Sequence, residues 1–306
     1  GYNTCVGFQA GSDITTGTQN TLIGGLTGDT TTTGANNTAV GYNSFTANTT
    51  GATNVALGVD SLAANTTASN NVAVGGGALG ANTTGTRNTG LGAAALTDNT
   101  TASDNTAVGY DCLLRNTTGS QVTAVGSSAL DANTTGIRNT ALGMEALTDC
   151  TTGDNNTALG HTSSANITTG SANVSVGYNS FTTATTAARC VIIGVDAGDA
   201  ITTGANNVAI GQNSLSDCTT GGGNVAVGQD SAENLTTGVH NICIGIDVAD
   251  SLTTGDSNIL IGNTARPSSS SGSNQISMGT VVSCVGDNNF TFGNQSTDSN
   301  IAFGAT

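Results

Sequence analysis

The chain contains no tryptophan and no lysine, a single proline (Pro267), 3% aromatic residues and 8% charged residues. Each shortage excludes something. Five arginines face twenty acids, for a formal net charge of −15. There is no basic surface to neutralise phosphates, so nucleic acid is not an expected partner. No apolar run is long enough to span a membrane as a helix. Disordered chains are usually rich in charge and proline, and this one is poor in both. The apolar content is largely Ala, Val, Leu and Ile, which suits a thin core between backbones. The seven cysteines are odd in number and show no C-x-x-C metal spacing. Most are expected to be small buried hydrophobes rather than parts of a disulfide framework.

What the chain does have is a period. Seventeen glycines, from Gly7 to Gly279, stand seventeen residues apart without an insertion or deletion. A stack of coils needs such regularity, because every coil meets an almost identical neighbour. With the periodic glycine as position zero, minus one is Val, Leu, Ile or Met and minus three is Thr, Val or Ile in all seventeen coils. Minus four is Asn in fourteen of seventeen, the exceptions being Val122, Cys190 and Gln275. A short β-branched stretch closed by glycine reads as a strand. The glycines, Gly41, Gly58, Gly75 and Gly92 among them, are expected at a corner that needs positive φ or close backbone contact.

The rest of the coil is turn. Plus four is often Leu or Phe, and plus eight and nine are Thr-Thr in fifteen of sixteen coils. Plus ten is usually Gly, but Ala68, Ala102 and Ala187 replace it, so that corner needs smallness more than positive φ. Charges within the repeat region fall only at plus two, four, five, six, eleven and twelve. These observations predict an all-β, parallel β-solenoid over residues 1–279, followed at 280–306 by shortened repeats that continue or taper it. There the spacing drops to fourteen at Gly293 and eleven at Gly304, with Phe292 and Phe303 before the glycines. Sixteen intervals at about 4.8 Å per parallel rung give one elongated body roughly 77 Å long. Neither end carries an evident cap, so the chain reads as a segment of a longer polypeptide or a unit that abuts a copy of itself.

Side chains alternate along a strand, so minus three and minus one share one face while minus four and minus two share the other. Minus two is small in most coils and never charged, so both faces look covered. One can fill the lumen; an identical chain is the simplest cover for the other. Three chains about an axis are expected, since small side chains let backbones approach. The Asn column at minus four (Asn37, Asn54, Asn71, Asn88, Asn105) reads as an internal ladder. So does the plus-seven column of Asn48, Asn65, Asn82 and Asn99, continued by Asn116 and Asn133. Those six are formally Asn-Thr-Thr glycosylation sequons, but the same column holds Ile167, Leu235 and Cys218 in other coils and so points inward.

Candidate chemistry is sparse. Asp230 with Glu233 and Asp247 with Asp250 fall on adjacent coils, placing like charges roughly 5 Å apart. A calcium ion would relieve that repulsion; solvated turn acids would need none. No other cofactor is indicated. No nucleophile, base or phosphate-cradling arrangement appears, and His161 and His240 read as surface residues. Consecutive Thr-Thr pairs point to opposite sides, unlike the two parallel Thr columns an ice-binding face wants.

The motif Asn37-Thr-Ala-Val-Gly41, repeated as Asn54-Val-Ala-Leu-Gly58 and Asn207-Val-Ala-Ile-Gly211, resembles the YadA-like head repeats of trimeric autotransporter adhesins. The longer unit Asn139-Thr-Ala-Leu-Gly-Met-Glu-Ala-Leu147 is similar to repeats of phage tail fibres. The resemblance implies left-handed β-rolls in a homotrimer, on a cell or virion surface. The expected function is a non-enzymatic shaft of an extracellular fibre whose partner is itself, with end-to-end polymerisation open. An adhesin binding glycans or matrix is the alternative, and an ice-binding solenoid a further one.

Overall fold

A computed structural model describes residues 1–302; Phe303 and Gly304, where the spacing shortens to eleven, lie outside the described residues. The fold is all-β, a parallel β-solenoid, with nineteen strands and no helix among the described residues. Two compact units are distinguished, one from Gly1 to Asn155 and one from Asn156 onward.

In the first unit, nine three-residue strands run from β1 (Thr4–Val6) to β9 (Thr140–Leu142). Seventeen-residue stacking is direct: Val40 of β3 (Thr38–Val40) lies on Leu57 of β4 (Val55–Leu57), and Leu57 on Val74 of β5 (Val72–Val74). In the second unit, parallel in-register strands continue from β10 (Thr157–Leu159) to β16 (Ile259–Asn263) and β17 (Gln275–Thr280). A fourteen-residue coil then pairs β17 with β18 (Asn289–Asn294), Gly279 facing Gly293. After β18 the chain reverses, because β19 (Ser299–Ala302) pairs with it antiparallel.

Each strand is short because the coil turns at both of its ends. At zero the glycines hold φ between 131° and 145°, a region closed to side-chain-bearing residues. A Cβ on Gly109 would stand 2.4 Å from the Gly126 carbonyl oxygen of the next coil. Both reasons anticipated for this glycine therefore operate. The plus-ten glycines, such as Gly51 and Gly119, do not adopt positive φ, in keeping with the alanines that replace them.

Burial decides which strand face is inside. The small minus-two column faces the lumen: Ala39, Ala73 and Ala107 are buried. The β-branched minus-three and aliphatic minus-one columns face outward, Val40 being 37% and Leu91 45% exposed. The lumen is lined by minus four, minus two, plus three, plus four, plus seven and plus ten. Small residues are needed inside because opposite walls of so short a coil lie close together.

The turns hold a feature that composition concealed. Besides the glycine at zero, left-handed backbone recurs at minus five, plus two and plus four. Asn and Asp, common at plus two, tolerate it (Asn43 φ 56°, Asp60 φ 57°). Plus four is different, since Leu62, Leu79 and Leu96 hold φ of 48–55° while fully buried. Left-handed backbone costs such a residue about 1–2 kcal/mol, and burying its side chain returns about 1.5–3 kcal/mol. Burial wins, and the Leu79 N–H is satisfied by the Ala95 carbonyl of the next coil at 3.0 Å.

The two glycine columns predict different costs. Gly109→Ala is expected to destabilise the fold by about 3 kcal/mol, combining a clash with a forbidden φ. A Cβ on Gly119 would crowd the Gly136 carbonyl of the next coil as well, but its φ is not positive and the same corner accepts Ala68 and Ala102, so Gly119→Ala should cost less. Thermal melting of the two variants side by side checks this, and equal losses would contradict the assignment.

Candidate functional site

The inward asparagine columns carry a hydrogen-bonding duty along the stack. At minus four, the Asn37 carboxamide oxygen accepts from the backbone N–H of Asn54 (3.0 Å) and from its Nδ2 (3.2 Å). Asn54 in turn accepts from the N–H of Asn71 at 3.0 Å, and Asn71 from that of Asn88 at 2.9 Å. Where Val122 replaces Asn, its backbone N–H still reaches Asn105 (2.9 Å), but it offers nothing onward. Each asparagine uses its remaining donor across the coil: Asn37 Nδ2 reaches the Gly51 carbonyl at 2.9 Å.

The plus-seven asparagines form a second file. Asn65 Nδ2 donates to Asn48 Oδ1 (3.0 Å), Asn82 to Asn65 (3.1 Å), Asn99 to Asn82 (2.8 Å), Asn116 to Asn99 (3.0 Å) and Asn133 to Asn116 (2.7 Å). Each also donates to a plus-ten carbonyl, as Asn65 does to Ala68 (3.1 Å). That carbonyl already accepts Asn54 Nδ2 at 2.9 Å, so two amides of one coil converge on it from opposite walls. All six are fully buried, which leaves no room for a glycan on the folded chain. The file ends at Asn133, whose Oδ1 is buried without a partner because Cys150 follows it. In the second unit the column from 167 to 252 is Ile167, Ala184, Ile201, Cys218, Leu235 and Leu252, all buried and lacking an amide.

The Thr-Thr pairs split as their alternation requires. The plus-eight hydroxyls make a third ladder, Thr49 Oγ1 donating to the Thr66 carbonyl (3.0 Å) and Thr66 to Thr83 (3.1 Å). Plus nine (Thr50, Thr67, Thr84) is exposed.

The cysteines are all free; six are buried and Cys5 is exposed. Burial pushes the thiols of Cys112, Cys218 and Cys243 up to about 12 and that of Cys150 to about 11. Such thiols are protonated at neutral pH and unreactive.

The four acids proposed for calcium are not arranged as one site. Asp250 is taken by Arg266, whose Nε and Nη2 donate at 3.0 and 2.9 Å. Asp230 accepts from Asn213 Nδ2 and Gln229 Nε2, both at 2.9 Å. Asp247 holds the left-handed plus-two position at φ 52°. Glu233 is pushed above its ordinary 4.5 by partial burial first, then by Asp230, Asp217 and Asp247. Among the described residues no three His, Cys, Asp or Glu side chains gather to hold a metal, and there is no pocket. The Asp250–Arg266 pair was missed in the sequence, because Arg266 enters as a lone charge at plus four.

His161 stacks on Tyr178, ring centroids 5.6 Å apart and planes 9° from parallel. Both belong to an exposed plus-one column that also holds Phe8, Tyr42 and Tyr110.

Two outcomes follow from these arrangements. Asn82→Leu should destabilise the first unit by about 2–3 kcal/mol in denaturant melts, since it removes the donor to Asn65 Oδ1 and the acceptor of Asn99 Nδ2. Three carboxyls have a raised folded pKa, Glu233 above 4.5 and Asp131 and Asp199 above 3.8, burial being the first cause in each, while hydrogen bonds from Arg87 and from the Ser273 N–H hold Asp104 and Asp287 below 3.8 and act oppositely at lower pH. A carboxyl of the raised kind opposes folding while ionised; the penalty is full at neutral pH and fades as pH falls through the raised value toward the ordinary one. Acidifying from neutral pH down into the ordinary carboxylate range should therefore raise the Tm, and Glu233→Gln should flatten that rise; an unchanged slope in the variant would contradict it.

No family model matches this chain, and no curated protein matches it.

Proposed function

We propose that the chain is a non-enzymatic, structural segment of an extracellular fibre, assembled as a homotrimer of left-handed coils. The single observation that carries this reading is the triple ladder. Two inward asparagine files, the plus-seven one confined to the first unit, and a part-buried threonine file tie one coil to the next, which suits a part whose task is to persist and extend. Backbone pairing alone would hold a parallel stack. Adding carboxamide files at minus four and plus seven and a hydroxyl file at plus eight spends side chains on cohesion that a binding or catalytic protein would place in a cleft. The free, protonated interior cysteines fit a chain that needs no disulfides to be rigid. The outward apolar columns support association with further copies.

The alternative, an adhesin whose repeat surface binds glycans, is favoured by one feature. Tyr42, Tyr110 and Tyr178 each present more than half of their surface to solvent at plus one, and exposed rings are the usual partners of sugar faces.

Native mass measurement and electron microscopy of the full chain test the first reading, and a glycan array tests the second. The expected result is a mass of three copies, narrow fibre segments and no glycan signal. A monomer with reproducible glycan binding that is lost in Tyr42→Ala and Tyr110→Ala would favour the adhesin. Thermal hysteresis would instead favour ice binding.

A further inference from the structure

The plus-seven asparagines of the first unit are fitted for two chemistries that use the same atom. Each of the six, from Asn48 to Asn133, begins an Asn-Thr-Thr sequon, whose carboxamide nitrogen can take an N-linked glycan. That nitrogen also ties the coils together. Asn82 Nδ2 directs one hydrogen at Asn65 Oδ1 (3.1 Å) and the other at the Gly85 carbonyl (3.0 Å). Asn65, Asn99, Asn116 and Asn133 do likewise.

We infer that these six asparagines are N-glycan acceptors only while the chain is unfolded, and that a glycan on any of them prevents the stack from closing. The chain must therefore fold ahead of, or apart from, any machinery that builds N-linked glycans. This goes beyond the fibre reading and does not depend on it.

The covalent step and the fold exclude each other. In the step, the carboxamide nitrogen bonds to the anomeric carbon of a sugar carried on a lipid diphosphate. The carbon–oxygen bond to the carrier breaks, the diphosphate leaves with its electron pair, and the nitrogen gives up one of its two protons. The secondary amide that results has one N–H where the fold uses two. One bond of that coil is lost, and a buried acceptor goes unpaired. Space is the second obstacle. All six side chains are fully buried, and among the described residues no pocket opens onto them. A sugar on Nδ2 would have to lie between the walls of a closely packed lumen.

The sequon hydroxyls are placed differently. Thr50, Thr84 and Thr118 stand exposed at plus nine, while the threonine ladder belongs to plus eight. On the folded chain the hydroxyl half of each sequon can be reached and the amide half cannot. The second unit supplies the contrast. There two sequons begin one residue earlier, at plus six: Asn166-Ile-Thr168 and Asn234-Leu-Thr236. Asn166 and Asn234 are exposed. Asn234 Nδ2 donates to the Asp250 carbonyl at 2.7 Å, a bond that a secondary amide can keep. A glycan at plus six points into solvent and leaves the interior intact. Asn173 and Asn289 begin two further buried sequons, completed by Ser175 and Thr291.

The test sends the full chain, behind a cleavable leader, through a eukaryotic secretory pathway, with and without an inhibitor of lipid-linked sugar assembly. The same chain made in a bacterial cytosol without that machinery is the reference. Peptide mass mapping reads the glycans, and protease digestion reads the fold. Without inhibitor, the expected result is glycan on the plus-seven asparagines and at least tenfold less protease-resistant chain. The inhibitor should restore the resistant form. A variant with Thr50→Val, Thr67→Val, Thr84→Val, Thr101→Val, Thr118→Val, Thr135→Val, Ser175→Ala and Thr291→Val loses every buried sequon and keeps every asparagine. It should give resistant chain without inhibitor, carrying glycan at Asn166 and Asn234. If it does not fold in the bacterial cytosol, the inhibitor arm alone decides. Resistant chain with glycan on a plus-seven asparagine overturns the exclusion. Resistant chain from untreated cells with those sequons bare overturns their availability before folding. Chain that stays protease-sensitive under the inhibitor overturns the glycan as the cause.

Discussion

The structure depends on register. Each coil repeats its chemistry at seventeen-residue spacing, so in most coils a carboxamide finds a carboxamide, a threonine hydroxyl the next threonine carbonyl, and a glycine the next glycine. A slip by one residue would turn the minus-two alanines outward and drive β-branched side chains into a lumen with no room for them. It would also strand two files of buried amides, each at about 1–3 kcal/mol. Interior polarity here specifies alignment as much as it stabilises.

The interior is not uniform, and its change is informative. In the first unit the plus-seven file is asparagine from Asn48 to Asn133; in the second it is aliphatic or cysteine. Both solutions fill the same place. The amide file fixes axial spacing through directional bonds, whereas the aliphatic file contributes burial without direction. The minus-four file persists in both units, with Cys190 and Gln275 as departures whose backbone N–H groups still reach the preceding asparagine at 3.0 Å. Outer chemistry shifts as well, from Thr to Val or Ile at minus three.

Much of this was legible in the sequence, because a repeat supplies its own comparison. Columns dominated by one kind of residue proved to have one structural duty: glycine at zero, asparagine at minus four, threonine at plus eight. The inward direction of Asn48 followed from Ile167 and Leu235 sharing its column. Two matters were not legible. Alternation alone gave two faces of the strand without saying which was inside, and the small size of Ala39 and Ala56 fitted either a crowded lumen or a close interchain contact; burial decided for the lumen. The left-handed leucines at plus four were hidden too, because Leu ordinarily avoids that backbone and only the enclosing coils hold it there. The acids at 230, 233, 247 and 250 were correctly placed on turns, but the partners Arg266 and Asn213 lay sixteen and seventeen residues off and looked unrelated.

In-register stacking also bears on how such a chain changes length. Strand partners of the seventeen-residue repeats are one coil apart in sequence, so closing the next turn costs the same loop entropy whether five coils precede it or fifteen. Duplicating or excising a block of fifty-one nucleotides would add or remove one complete rung and leave both flanking rungs with the neighbours they require. The gene for such a protein can therefore lengthen or shorten its product in whole steps without passing through a misfolded intermediate form.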